Sequence, residues 1–236
     1  MKIAVIVLWV LLTCVPMMAG TRTVPFVDNS PAGTPIVNSG SVTLTENNSR
    51  GIESMSRRDD WTAKNVSQKS IVVLVETLNI QYSNGHTVQR TAEYDAFFHP
   101  QVVNPGSSID LSYEPSDTHV ADEKYSSLTQ PSCEVEVRWV QFLDGTTLGD
   151  AKYAEHILES RRDIWSALSR LHKVFEQQGS DEFLKQLKEP NPSAMVDAYL
   201  EHLRNFQREH DTQGALGRLE EHLKMAETRS QLISAN

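Results

Sequence analysis

Between Ser70 and Tyr82 the chain runs Ile71-Val72-Val73-Leu74-Val75 without a polar break; then Leu78, Ile80 and Tyr82 keep one parity while Thr77, Asn79 and Gln81 take the other. This predicts a strand buried on both faces at its start and on one face at its end. Asn84-Gly85 follows, a pair that tolerates the positive φ of a tight turn. His86 to Phe98 returns as the second arm, with Val88, Phe97 and Phe98 apolar. Upstream, Val42-Thr43-Leu44-Thr45 alternates, and Trp61 to Val66 reads as a further strand. Downstream, Asn104-Pro105-Gly106 makes a turn because Pro presets φ and Gly accepts the left-handed position after it. Ile109, Leu111 and Tyr113 then alternate with polar neighbours, and residues 114 to 131 read as a longer polar connection.

The last strand, Cys133 to Leu143, places Val135, Val137 and Trp139 on one face against Glu134, Glu136 and Arg138. At Val140 and Phe142 the polar side turns apolar, so an element is expected to cover it there. Asp144-Gly145 closes the strand. Short strands punctuated by turns in this way predict an antiparallel β-sandwich over residues 41 to 149.

After Gly149 the period changes from two to about 3.6. Ala154, Ile157, Leu158, Trp165, Leu168, Leu171 and Phe175 recur at helical spacing, interrupted by Arg161, and Gly179 ends the run. Ser180-Asp181 opens a short helix with Phe183, Leu184 and Leu187, stopped by Pro190 and Pro192. Ser193 caps the next, lined by Met195, Val196, Tyr199, Leu200, Leu203 and Phe206. Leu216, Leu219, Leu223, Ala226 and Ile233 predict a last helix. The class is therefore α+β: an antiparallel sandwich followed by a C-terminal helical region, residues 150–236. The first helix is expected to lie over Val140 and Phe142.

The N-terminus is of another kind. Lys2 precedes an apolar run from Ile3 to Val15 that ends at Pro16, with small residues at Ala19-Gly20. The run is too short to span a bilayer and matches an export signal over residues 1–20. The alternative is a lipid anchor at Cys14 in Leu11-Leu12-Thr13-Cys14, where Thr13 fits poorly. Residues 21–40, rich in Pro, Gly, Ser, Thr and Asn, read as a flexible linker. The expected location is periplasmic or extracellular, with no membrane span in the mature chain.

Export leaves Cys133 as the lone cysteine of the mature chain, without an internal disulfide. Flanked by Glu134 and Glu136, it lacks the cationic neighbour a reactive thiolate needs and reads as a small core residue. The net charge of −9, from 22 Lys and Arg against 31 Asp and Glu, argues against nucleic acid as a partner. Arg57-Arg58 and Arg161-Arg162 each stand beside acids and read as solvated, self-compensating pairs.

Motifs for chemistry are sparse. Glu155-His156-Ile157, Glu201-His202-Leu203 and Glu221-His222-Leu223 repeat a Glu-His-aliphatic tripeptide, yet no H-E-x-x-H spacing occurs, and His202 and His210 are two helical turns apart. The tripeptides therefore read as exposed helix faces. G-x-S-x-G, G-x-x-x-x-G-K-S/T and G-x-G-x-x-G are all absent, so neither a nucleophile elbow nor a phosphate cradle is expected. No cofactor or metal set is expected, and no catalytic residue is assigned. His99 and Asp95, with a serine or a second acid, are the first residues to inspect for a triad. The paired acids Asp59-Asp60 and Asp122-Glu123 read as solvated loops. Asn47-Asn48-Ser49 and Asn65-Val66-Ser67 match the N-glycosylation pattern.

Asn65-Val66-Ser67-Gln68-Lys69-Ser70-Ile71, the strand ending Tyr82-Ser83-Asn84-Gly85, and Asn104-Pro105-Gly106-Ser107 resemble the pattern of bacterial exported immunoglobulin-like modules, including the FxLYD type. The stretch from Val137 to Gly149 is similar to a V-x-F-x-D-G-x-x-x-G signature of uncharacterised exported bacterial proteins. The resemblance implies an immunoglobulin-like sandwich without established activity and without catalytic residues to carry over. Together these readings predict a non-enzymatic binding or structural module of the cell envelope, meeting a protein or peptide through a sheet edge or the C-terminal helices. The alternative is an extracytoplasmic hydrolase built from unrecognised residues.

Overall fold

The computed structural model describes residues 20–49, 52–82, 85–113, 119–120 and 131–233. The expected signal up to residue 19, Cys14 within it, and the Asp122-Glu123 pair lie outside the described residues. The chain is α+β, two sheets followed by helices.

In the first sheet the order is β1 (Thr21–Pro25), β3 (Ile36–Ser49), β4 (Ile52–Asn65) and β7 (Ser108–Asp110), with β8 (His119–Val120) also on β4. In the second it is β10 (Thr147–Gly149), β9 (Ser132–Phe142), β5 (Ile71–Gln81) and β6 (Thr87–Asp95). β2 (Val27–Asp28) joins β9 in parallel beside β10's stretch, so the second sheet is mixed rather than wholly antiparallel.

Residues 21–40 are not a linker: they carry β1, β2 and the start of β3. The chain crosses between sheets at Phe26, whose N–H donates to the Gly40 carbonyl and whose ring meets Trp61 edge-on at 5.8 Å. Gly40 has no substitute here, since a Cβ would stand 1.9 Å from the Asp60 carbonyl oxygen.

Between the sheets lies a core of Val42, Leu44, Trp61, Leu74, Leu78, Ile80, Cys133, Val135, Val137 and Val140. β5 is buried on both faces from Ile71 to Leu78, as its unbroken apolar run requires. Its second face, Val72, Val73 and Val75 with Trp139, packs under the helices against Ile157, Leu168, Phe183, Leu200 and Leu219. Each such aliphatic side chain contributes roughly 1.5–3 kcal/mol on burial. The second sheet is thus the middle of three layers.

The side of β9 that the helices cover differs from expectation. The β5–β9 register shifts between Val75 and Glu76, whose partners are Trp139 and Val137, so Arg138 is the extra residue. Beyond it the parity reverses: Val140 and Phe142 turn to the inter-sheet core, while Trp139 and Gln141 face the helices.

The crossover from β4 to β5 is organised by Asn65, fully buried. Its amide donates to the carbonyls of Lys69 and Val103, each at 2.8 Å, and its Oδ1 accepts from the Ser67 N–H and hydroxyl. The Asn104–Ser107 turn closes on the same residue, with Gly106 N–H on the Asn65 carbonyl and the Asn65 N–H on the Ser107 carbonyl.

Helix α1 (Ala151–Gln178) starts at Asp150, whose side chain accepts from Lys152 N–H, and ends at Gly179. α2 (Ser180–Lys188) and α3 (Ala194–Thr228) follow, the latter opened by the Ser193 side chain. α3 breaks at Asp211 (φ 70°, ψ −174°), and its two halves fold back side by side. Asp211 Oδ1 accepts from Gly214 N–H to start the second half. Gly214 permits the close turn, since a Cβ would lie 2.8 Å from that of His210. No helix among the described residues is long and apolar enough to cross a membrane.

Candidate functional site

Two buried arginines fix the loop that follows β6. Arg161 of α1 is fully buried: Nε and Nη2 donate to the two Asp95 oxygens at 2.9 and 2.8 Å, Nη1 donates to Gln141 Oε1 at 2.6 Å, and the guanidinium lies over Phe97. Arg229, just beyond α3, donates to the carbonyls of Ala96, Phe97, His99 and Pro100. Arg161 is therefore not a solvated charge, and neither is the Arg57-Asp59 pair. Asp59 is fully buried, 3.0 Å from Arg57 and 3.2 Å from Arg90, with its carboxyl raised by burial against the pull of both arginines.

With its backbone held by Arg229, His99 turns its side chain toward the α3 hairpin. There a cleft of 260 Å³ opens, lined by His99, by Tyr199, His202, Leu203 and Phe206 of the first half of α3, and by Arg218 and His222 of the second. Phe98 packs beneath Tyr199 at 5.2 Å, and His99 meets His222 edge to face at 5.3 Å. Arg218 lies over Phe206 and pairs with Glu221 at 2.7 Å through Nη1.

His222 is 2% exposed and sits 2.7 Å from the Tyr199 hydroxyl through Nδ1. Burial pushes the phenol well up, so it stays protonated and donates. The reverse arrangement would leave the phenol proton without an acceptor as well. Tyr199 as donor places the ring proton on Nε2, and that buried N–H has no partner among the described residues. Leaving such a donor unpaired costs about 1–3 kcal/mol. Burial first, then Arg218 and His99, lower the His222 imidazole to about 4; burial and Arg218 lower His99 as well. His222 is therefore neutral at physiological pH, and Tyr199 is not an activated nucleophile.

The tripeptide repeat thus divides. His156 and His202 are exposed, as expected of helix faces, but His222 is buried. The structure brings His99 to two of these histidines and not to Asp95, whose oxygens serve Arg161 and the Phe97 N–H. Among the described residues no serine lines the cleft and no group of three His, Cys, Asp or Glu is placed to hold a metal. Cys133 is buried and its thiol is pushed up to about 12, by burial first and then by Asp59 rather than by the flanking glutamates. Asn65 of the second glycosylation pattern is buried with its amide fully bonded, which closes it to modification in the fold.

The sequence reads Tyr199 only as a helix lining and His222 only as an exposed face, and passes over Arg218, because the three lie on opposite sides of the Asp211 break. The one available signal is spacing: Tyr199, His202 and Phe206 share a helix face, as do Arg218 and His222, one turn apart. Comparison with protein-family models, curated proteins and solved structures finds no match to this chain.

Proposed function

We propose that the protein is a non-enzymatic exported binding module: an immunoglobulin-like pair of sheets, backed by helices, that takes its ligand in the cleft between His99 and the α3 hairpin. The observation that carries this reading is the buried, unpartnered His222 Nε2–H beside a cleft whose other walls are held by Arg229, Tyr199 and Phe98. A buried polar group without a partner, on a residue that lines a cleft, is a mark of a site awaiting one. The immunoglobulin-like reading draws support from Asn65, since two of the sequence stretches that carry the resemblance, 65–71 and 104–107, bond to one another through it. The export reading rests on the N-terminal pattern. Of the two routes expected for a partner, the C-terminal helices are favoured over a sheet edge because the cleft is there.

The hydrolase alternative loses its best candidates, since Asp95 is committed to Arg161 and does not orient His99. Binding is tested by following the imidazole signals of His99, His202 and His222 by NMR while a library of small fragments is added to the full chain. Saturable shifts confined to these three rings are expected. A library that leaves all three unmoved would overturn the reading.

A further inference from the structure

We infer that the cleft selects a small organic carboxylate with an apolar body; this rests on the binding reading above and specifies its ligand. The lining offers hydrogen-bond donors. His222 holds a buried Nε2–H, and of the Arg218 guanidinium only Nη1 is bonded among the described residues, to Glu221. His99 and His202 add two imidazoles, and among the described residues Glu221 is the carboxylate paired with a lining side chain, Arg218. Arg218 is the one arginine or lysine among the lining residues, and a carboxylate accepts from its free nitrogens through charge-assisted hydrogen bonds.

The rest of the lining is apolar or aromatic, Leu203, Phe206 and the Tyr199 ring, which suits a hydrocarbon or aromatic body. The 260 Å³ volume falls just below that of a drug-sized pocket, so the ligand is a fragment-sized acid. Nε2 is closed to water, so a carboxylate oxygen reaches it with a shift of the His99 ring packed beside it. The acid then supplies the acceptor that the Nε2–H lacks, while Arg218 holds the second oxygen.

The test uses the full chain and four probes at constant ionic strength: benzoate, its neutral counterpart benzamide, N-acetylphenylalanine as a peptide C-terminus, and inorganic phosphate. Imidazole and guanidinium ¹⁵N signals report binding. Benzoate is expected to saturate with shifts at His222 Nε2 and Arg218, and benzamide to bind at least about tenfold more weakly, as does benzoate to Arg218→Gln. N-acetylphenylalanine binding more tightly than benzoate identifies a peptide terminus as the source of the carboxylate; weaker binding identifies a free acid. Should the glutamine variant fail to fold, Arg218→Lys is expected to bind benzoate more weakly than the native chain does, and unchanged binding overturns the role of Arg218. Benzamide binding as well as benzoate overturns the carboxylate assignment and leaves the binding reading standing, and phosphate competing equally overturns it likewise. Absence of shifts from every probe overturns the carboxylate assignment, and the fragment library then decides the binding reading separately.

Discussion

Arg161 and Asp95 meet in a two-pronged ion pair across 66 residues of chain, one on the first helix and the other at the end of β6. Both prongs are short, and the arginine side chain has no exposure to solvent. A pair of this kind is costly to break from one side because the remaining charge stays buried. Arg161→Ala is expected to lower unfolding free energy by about 3–5 kcal/mol in urea titrations. Replacing both partners by apolar residues, Arg161→Met with Asp95→Leu, should recover much of that. A loss below about 1 kcal/mol for the single variant would show that the pair does not hold the layers together.

The helical layer covers Val72, Val73, Val75 and Trp139. Ending the chain after Gly149 exposes them as one apolar face, and such a face drives association. The shortened protein should therefore bind ANS and elute as aggregates in gel filtration. A monomeric, ANS-silent product would mean that the two sheets stand alone.

Glu76 is fully buried between the sheets, with Oε1 accepting from Asn38 at 2.8 Å and Oε2 unpartnered among the described residues. Burial, offset by Asn38 and reinforced by Asp28, raises its carboxyl to about 8. The folded state therefore holds this proton more tightly than the unfolded chain, and stability from it is lost as pH rises from about 4.5 to about 8. Glu76→Gln removes that slope. The advantage of the variant is expected to grow with pH across this window, reaching on the order of 3 kcal/mol at its upper end. Denaturation curves at pH 5 and pH 8 check it, and an advantage that stays constant would refute it.

His222 titrates in the opposite sense. Its imidazole falls to about 4 in the fold, so between the ordinary histidine range and pH 4 the unfolded chain gains a proton that the folded chain refuses. Acidification through this window should cost about 3 kcal/mol at most. Replacing the pair together, Tyr199→Phe with His222→Phe, is expected to flatten this limb in melting temperatures taken from pH 7 to pH 4. An unchanged limb would place the acid sensitivity elsewhere.

Asn65 offers a sharper test of the crossover. Asn65→Ala leaves the Lys69 and Val103 carbonyls and the Ser67 donors without their shared partner. A loss of about 2–4 kcal/mol is expected, since unmet buried groups cost more than a made hydrogen bond returns. Asn65→Asp should recover little, because a carboxylate accepts but cannot donate to the two carbonyls. Equal stability of all three proteins would refute the role.

Elements with a period of their own were legible in the sequence. β5 announced itself by an apolar run that only a strand covered on both sides can carry, and Gly179, Ser193 and Pro190 marked the helix ends. β1 did not, because four of its five residues are exposed and a strand with little buried surface leaves no alternation to read. The reversal at Arg138 was hidden as well, for one inserted residue changes the face of all that follow without changing composition. Arg161 looked like a fault in an apolar stripe, since its partner Asp95 belongs to a distant strand. The cleft was illegible for the same reason: its histidines come from a loop and from two half-helices whose return at Asp211 depends on one backbone conformation.

Arg229 reaches back 129 to 133 residues to the carbonyls of the loop after β6. A chain emerging from the ribosome makes that loop long before this anchor, so the His99 wall of the cleft lacks its backbone clamp until translation has passed residue 229. Nascent chains arrested upstream of that point would carry both sheets and most of the helices, yet no finished pocket.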